Sequence, residues 1–186
     1  LDVCNETSAR NSGVLHAGFN NKPGTLMAKF CVEGNQGFDQ VAKELGVPFK
    51  RCGKLVVGFS EEDKEKLIAM KEQGKKNGVK GLEIIVKDKI KEIEPNIDGE
   101  FAMWSKTTGI LNPFLLTIAL AENAAANGAE NYFGNEVIEI NRVDDIYYKT
   151  TVKDTYKTRW VVTAAGLYSD NVSKMLRIDD YAIHPC

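Results

Sequence analysis

Residues 7–13 carry a dense set of small polar side chains that could hold a phosphate-bearing ligand. Their sequence is Thr-Ser-Ala-Arg-Asn-Ser-Gly. Hydroxyls, an amide and a flexible glycine can hydrogen-bond a phosphate or a ribityl chain through side chains and backbone N–H groups.

One histidine, His16, follows this segment within a short apolar stretch. A lone histidine has a structural role more often than a catalytic one. Beside a redox cofactor it could instead act as a base or orient a substrate, because imidazole exchanges a proton near neutral pH. Both roles stay open on this pattern, and His16 is the candidate catalytic residue.

A second candidate site lies at the end of the stretch Arg159–Gly166, whose sequence is Arg-Trp-Val-Val-Thr-Ala-Ala-Gly. The apolar pair Val161-Val162 is typical of a strand buried on both faces. The small residues after it would let a ligand approach the backbone at the carboxyl end of a parallel strand, which is where open α/β sheets bind ligands. Tight packing of strand on helix would explain the same pattern without a ligand.

The cysteines do not indicate a disulfide scaffold or a zinc module. The chain has four cysteines and no Cys-x-x-Cys pair. His184 and Cys186 could ligate a metal, but two residues do not make a site, so we expect no metal. We interpret the cysteines as mostly buried thiols of a reducing compartment, which predicts a cytoplasmic protein.

Residue patterns in the first half of the chain predict two helices. Apolar residues recur at helical spacing from Thr25 to Leu45, and Gly46 fits the position just past the helix end. Ser60 followed by Asp63 is a capping-box pattern that predicts a helix reaching about Lys76.

A further helix should start at Asn112-Pro113, an N-cap followed by proline at the first helical position. Because this helix is apolar nearly all round, we expect it to be buried. The sequence also predicts a final helix over Leu167–Leu176.

Strands are predicted between these helices, and the alternation favours a mixed α and β fold. The predicted strands are Phe49–Phe59, Leu82–Val86, two within Phe101–Leu111, Tyr132–Asn141, Ile146–Val152 and Tyr156–Thr163, the last two as a possible hairpin.

Charge and hydropathy exclude two classes of partner. The 186 residues include 24 Lys and Arg against 26 Asp and Glu, a formal net charge of −2, whereas a nucleic-acid binder should show a basic face. No apolar run approaches the roughly 20 residues that cross a bilayer. We therefore expect no nucleic-acid partner and no transmembrane segment.

Two segments resemble motifs of the FAD-dependent oxidoreductases of the D-amino-acid oxidase superfamily. Ser8–Gly18 contains Asn-Ser-Gly-Val-Leu-His-Ala-Gly, which is similar to the anaerobic-type glycerol-3-phosphate and L-2-hydroxyglutarate dehydrogenase branches. Arg159–Asp170 resembles the second FAD-contacting strand of the superfamily. The segments 22–26 and 46–57 are similar in both branches, whereas 108–110 and 116–123 resemble the glycerol-3-phosphate branch.

The chain departs from the family in one important feature. The superfamily begins with a strand and Gly-x-Gly-x-x-Gly, whose glycines and helix N-terminus hold the FAD pyrophosphate, and no such motif occurs in these residues. We therefore expect an internal segment of a longer flavoenzyme, one that binds FAD weakly or not at all by itself and is inactive alone.

The resemblance implies roles for individual residues. Thr7, Ser8, Asn11, Ser12 and Gly13 would line the FAD pyrophosphate and ribityl region, and His16 would sit nearest the isoalloxazine and the substrate. The other residues implied are Val137 and the trio Ala164, Ala165 and Gly166 on the adenosine side of FAD, and Arg51 for an anionic substrate. A surface or strand-pairing role for Arg51 remains an alternative.

The resemblance also implies a function for the parent protein, namely FAD-dependent oxidation of a small anionic secondary alcohol, with glycerol 3-phosphate first and L-2-hydroxyglutarate as the alternative. A non-catalytic stand-alone binding module is the alternative from a different functional class.

The expected fold is α/β (mixed α+β), an antiparallel or mixed substrate-binding sheet plus the remnant of a Rossmann-like FAD domain. Residues 1–45 would form the FAD-lining loop and helix, 46–130 the substrate-binding elements and 131–186 the FAD-domain remnant. The electron acceptor, and association with a membrane through a parent complex, stay open.

Overall fold

The computed structural model describes residues 2–184, which alternate between helices and short strands. In chain order the elements are β1 (Val14–Leu15), α1 (Leu26–Leu45), β2 (Phe49–Lys50), β3 (Lys54–Gly58), α2 (Glu61–Lys76), β4 (Leu82–Val86), α3 (Lys87–Ile93), β5 (Phe101–Ser105), β6 (Gly109–Leu111), α4 (Pro113–Ala126), β7 (Val137–Val143), β8 (Ile146–Thr151), β9 (Thr155–Thr158) and α5 (Ser169–Lys174). Two single turns of 3₁₀ helix, Thr7–Ala9 and Gly166–Tyr168, complete the set.

The chain divides into two compact units. The larger unit is Cys4–Asn127, and the smaller one runs from Gly128 to the end of the described chain and takes in the residues before Cys4. The mixed α and β class predicted from the sequence is confirmed. The assignment of functions to residues 1–45, 46–130 and 131–186 stays a prediction.

Two antiparallel sheets form the larger unit. The first has the strand order β1-β6-β2 and the second has the order β3-β5-β4. The chain passes from the first sheet to the second between β2 and β3, and it returns between β5 and β6, so the two segments 49–58 and 101–111 pair with each other in both sheets. The prediction of one continuous strand over Phe49–Phe59 is wrong in this detail, because residues 51–53 belong to no strand and separate β2 from β3.

Local sequence signals determine the ends of the helices. The Thr25 hydroxyl accepts a hydrogen bond from the Ala28 N–H at 3.2 Å, and Gly46 ends α1 with a positive φ of 65°. The Ser60 hydroxyl accepts from the Asp63 N–H at 3.2 Å, as the capping box predicts. Asn112 accepts from two N–H groups of the first turn of α4.

The hydrophobic core of the larger unit lies on both faces of the second sheet. One cluster joins α1 and α2 to the sheet, and its buried members are Ala17, Phe19, Val32, Leu67, Val79, Leu82 and Met103. The other cluster lies under α3, where Ile90 is fully buried with Ile85 and Ala102. The alternation of side chains along β5 places Ala102 and Met103 on opposite faces, so the strand serves both clusters.

The smaller unit is built on a third antiparallel sheet, of order β7-β8-β9, and its most buried apolar residue is Ile140. The predicted hairpin of the last two strands is confirmed by the pairing of β8 with β9. The strand predicted from Tyr132 begins only at Val137.

Three expectations about burial are wrong. The cysteines are expected to be mostly buried, but Cys4 and Cys31 are half-buried and Cys52 is exposed. The apolar helix α4 contains no buried residue, and Phe114, Leu115 and Leu120 are 42–49% exposed. Within its unit, α4 packs against α1 and the Thr7–Ala9 turn. An apolar circumference predicts burial all round, whereas every residue of α4 is half-buried or exposed.

The expected buried parallel strand over Arg159–Gly166 is also absent. β9 ends at Thr158, and Trp160 and Val162 are 83% and 89% exposed. A strand needs neighbours for its backbone hydrogen bonds, and no strand among residues 2–184 pairs with residues 159–165.

Substituting the core residue Ile90 should destabilise the larger unit strongly. Ile90→Ala removes a fully buried side chain and should lower the free energy of unfolding by about 2–5 kcal/mol. The matched control is Ile68→Ala in α2, where the side chain is 43% exposed and the expected change is about 0.5 kcal/mol or less. Urea unfolding measures both, and equal losses would contradict the core described above.

Candidate functional site

The segment 7–13 forms a compact turn held by its own polar groups. The Asn11 amide donates to the carbonyls of Thr7 and Ser8 at 3.2 and 3.0 Å, and its oxygen accepts from the Gly13 N–H at 3.0 Å. Thr7, Ser8 and Ser12 are exposed. Asn11 therefore shapes the turn, while the three hydroxyl residues face solvent.

Gly13 attaches this turn to the end of the first sheet. Its carbonyl accepts from the Leu111 N–H at 2.9 Å, and its φ is 64°. A Cβ at this position would stand 2.5 Å from the Leu111 carbonyl oxygen and 3.3 Å from Pro113 Cδ. A side chain is therefore excluded by contact as well as by backbone conformation.

His16 is exposed and lines a cleft of about 330 Å³ next to α1. The cleft has a mixed lining of apolar and polar groups, to which His16 contributes an imidazole. Its other lining residues are Gly18, Phe19, Asn20, Asn21, Met27 and Cys31. The structure thus places the predicted catalytic histidine in a concave site of the size that takes a small molecule.

Polar side chains at the end of α2 hold the floor of this cleft, a feature that the sequence analysis missed. Gln73 donates to the Phe19 carbonyl at 3.0 Å, and Asn77 donates to the carbonyls of Gly18 and Asn21 at 2.9 and 2.8 Å. The only sequence signal there is the Asn77-Gly78 pair, which is typical of the end of a helix and does not indicate these contacts.

Arg51 does not line the His16 cleft, and its guanidinium is hydrogen-bonded to protein groups. It lines a separate cavity of about 310 Å³ that shares no lining residue with the cleft. Its guanidinium donates to Asn35, to the Thr107 carbonyl and, at 2.6 Å, to the Asp39 carboxylate. A substrate-binding role for Arg51 stays a prediction, and a substrate would compete for these donors.

The ion pair with Arg51 affects the titration of Asp39. The hydrogen bond from the guanidinium, aided by its charge, holds the pKa of the Asp39 carboxyl below its usual range. Since folding lowers this pKa, the pair contributes stability above the unfolded pKa of the carboxyl and loses it as the pH falls through the folded value. The Asp39 side chain is largely exposed, so solvent screening keeps the contribution small.

The remaining predicted residues lie in the smaller unit. Val137 begins β7, pairs with Thr151 and precedes a register shift in the strand. Ala164 and Gly166 are exposed, Ala165 is half-buried, and Gly166 opens the 3₁₀ turn that leads into α5. Thr7–Gly13 and His16 are thus neighbours along one unit, whereas these four residues belong to the other.

No group of three or more His, Cys, Asp or Glu side chains that could hold a metal ion occurs in residues 2–184. Within the same residues, the structure contains no helix of sufficient length and apolar character to span a bilayer.

The comparison with protein families decides the assignment. The model of the family described as FAD dependent oxidoreductase (DAO) matches residues 2–186. The chain belongs to this family. Among curated proteins, it is 45% identical over 186 residues to a glycerol 3-phosphate dehydrogenase of Caloramator mitchellensis, covering 99% of this chain and 39% of that relative.

Two further proteins are similar to most of this chain. A mitochondrial L-2-hydroxyglutarate dehydrogenase of Nematostella vectensis is 36% identical over 181 residues, with 90% of this chain and 40% of the relative covered. Among solved structures, the dithionite-reduced L-α-glycerophosphate oxidase of Mycoplasma pneumoniae with FAD bound superposes with a TM-score of 0.87 at 27% identity, covering 96% of this chain and 49% of that one. The chain spans about two fifths of the length of these curated relatives.

The turn at 7–13 fits the cofactor of the DAO family by the chemistry of its donors. Exposed hydroxyls at Thr7, Ser8 and Ser12 suit phosphate oxygens and a ribityl chain, and the segment itself contains no carboxylate that would repel them. These residues could therefore hold part of an FAD molecule.

Replacing Gly13 should test the junction between this turn and the first sheet. Gly13→Ala adds a backbone penalty and a clash with the Leu111 carbonyl, whereas Gly46→Ala at a φ of 65° meets nothing within 4 Å. We expect Gly13→Ala to lower the free energy of unfolding by about 1–3 kcal/mol more than Gly46→Ala, the usual cost of overpacking. Thermal or urea unfolding of both variants measures the difference, and equal stabilities would contradict the close approach.

Proposed function

We propose that this chain is part of an FAD-dependent dehydrogenase that oxidises glycerol 3-phosphate. The observation that carries the proposal is the 45% identity to a glycerol 3-phosphate dehydrogenase across 99% of the chain. The L-α-glycerophosphate oxidase with FAD bound, which shares the fold at 27% identity, supports the same substrate class.

L-2-hydroxyglutarate is the second candidate substrate. The observation that favours it is the 36% identity to an L-2-hydroxyglutarate dehydrogenase over 181 residues. Both compounds are small anions with a secondary alcohol, so the same chemistry at the reacting carbon would serve either one.

In this proposal, His16 is the base of the reaction. The hydroxyl proton of the substrate passes to an imidazole nitrogen of His16 while the alcohol carbon becomes a carbonyl carbon. When bound, FAD supplies the acceptor for the hydride that leaves the C–H bond. Thr7, Ser8, Asn11, Ser12 and Gly13 would hold the pyrophosphate and ribityl part of the cofactor.

The proposed roles in the smaller unit concern the other end of the cofactor. The backbone of Val137 would meet the adenine, and Ala164, Ala165 and Gly166 would pass close to the adenosine. The exposure of Ala164 and Gly166 and the small size of all three residues at 164–166 support this proposal, because they leave the backbone open to a ligand.

A cytoplasmic location is also proposed, on the cysteine usage. The three cysteines within residues 2–184, namely Cys4, Cys31 and Cys52, are free thiols, which suits a reducing compartment.

Anaerobic reduction of the flavin in the whole parent protein tests the substrate. Glycerol 3-phosphate should bleach the flavin absorbance faster than L-2-hydroxyglutarate at equal concentration. The reverse order would favour the second candidate, and a flavin that neither alcohol reduces would contradict the proposed function.

His16→Gln in the parent protein tests the base. The rate constant for flavin reduction should fall about 10²–10⁴-fold, the usual contribution of a general base. Lys43→Gln, an exposed change at the end of α1, is the control and should reduce its flavin at the wild-type rate. A His16→Gln protein that keeps the wild-type rate would exclude the histidine as base.

The chain alone should hold FAD weakly or not at all, because it lacks the Gly-x-Gly-x-x-Gly turn for the pyrophosphate. Gel filtration after incubation with FAD should give a colourless protein peak. A yellow peak with one flavin per chain would show that the elements present here are sufficient for binding.

A further inference from the structure

His16 lies one residue beyond the end of β1, where strand pairing no longer holds the chain. The pairing of β1 with β6 ends at Leu15 opposite Gly109. The position of the His16 backbone therefore depends on groups outside the sheet. Side chains of α1 supply them.

Asn35 of α1 provides the main contact. It is 4% exposed, and its amide nitrogen lies 3.3, 3.1 and 3.0 Å from the carbonyl oxygens of Leu15, His16 and Thr107. An amide has two N–H hydrogens, so these are shared among the three carbonyls. One buried side chain thus joins α1 to the end of β1 and to the turn between β5 and β6.

Arg51 determines the orientation of this amide. Its Nη1 donates to the Asn35 side-chain oxygen at 3.0 Å and also to the Thr107 carbonyl, and its Nη2 donates to the Asn35 backbone carbonyl at 2.6 Å. In the flipped orientation, the amide oxygen would face three carbonyl oxygens and the NH₂ group would face a guanidinium. Arg51 therefore selects the orientation in which Asn35 donates to His16.

We propose that Asn35 and Arg51 act together as positioning residues that fix the backbone of His16 in its cleft. We call this pair the Asn35–Arg51 clamp. The proposal deepens the proposed function and depends on it, in that His16 is the base whose position the clamp determines. Neither residue lines the His16 cleft, so the clamp acts from behind the site.

The isosteric change Asn35→Asp removes the donor without removing volume. Its carboxylate still accepts from Arg51, but a second acceptor oxygen now faces the carbonyls of Leu15, His16 and Thr107. The His16 backbone should shift to relieve the repulsion. Gln40→Ala, an exposed change on the same helix, is the matched control.

A double-mutant cycle in the flavin-loaded parent protein separates positioning from general damage. Asn35→Asp should slow flavin reduction about 10–100-fold, the cost of misplacing a reacting group. In the His16→Gln background the same change should cost less than about twofold, because the group that it misplaces is already gone. Equal factors in both backgrounds would overturn the proposal.

Amide hydrogen exchange gives a readout that does not need activity. In the parent protein, Asn35→Asp should speed exchange in the peptide covering residues 14–19 by about tenfold, through local opening, and should leave the α2 peptide unchanged. Gln40→Ala should change neither peptide. Unchanged exchange at 14–19 would overturn the clamp.

Arg51→Lys is the second variant and covers the case in which Asn35→Asp does not fold. It keeps the positive charge and loses the planar guanidinium, so it should reproduce the faster amide exchange of residues 14–19 in a folded protein.

If the wild-type protein oxidises neither alcohol, the proposed function fails while the exchange experiments still test the clamp. If oxidation occurs and exchange at 14–19 is insensitive to both variants, the clamp alone fails.

Discussion

A buried amide that must find hydrogen-bond partners is the constraint on which the architecture of the larger unit depends. Leaving such a group unpaired costs about 1–3 kcal/mol, so α1 can only pack where Asn35 meets the carbonyls of Leu15, His16 and Thr107. The same principle operates at the end of α2, where Asn77 and Gln73 hold residues 18–21. The candidate cleft is thus shaped by polar side chains of helices more than by strand ladders.

The elements that could be predicted from the sequence are those with local signals. Thr25, Ser60 and Asn112 accept N–H groups of the turn that follows them, and such caps need no information from elsewhere in the chain. The exposure of α4 and the irregular backbone after Thr158 could not be predicted, because both depend on which neighbours are present. The spacing of apolar residues predicts which face of a helix or strand is apolar, but it does not show which neighbours cover that face.

For the candidate site, the sequence predicted groups whose chemistry suits a ligand, and it gave no prediction for the side chains that hold the backbone of the cleft. The segment 7–13 and His16 stood out because hydroxyls, glycines and imidazole carry recognisable chemistry. Asn35 did not, although it falls at helical spacing among the buried residues Val32 and Phe38 of α1. A polar residue within an apolar stripe is the signal that would have found it, and its partners, 20 and 72 residues away along the chain, are apparent only in the fold.

The long separation between β1 and its partner strand also determines when the site can form. Val14 pairs with Ile110, so 96 further residues must be made before β1 can enter its sheet. At the ribosomal pace of about 5–20 residues per second, this takes roughly 5–19 s, during which the His16 segment has no sheet to join. Strands that are far apart in the sequence pair slowly even in the complete chain, because the entropy cost of closing the loop comes before the stabilising contacts between the strands. The geometry of the His16 segment is therefore completed late in synthesis, well after its own residues have been translated.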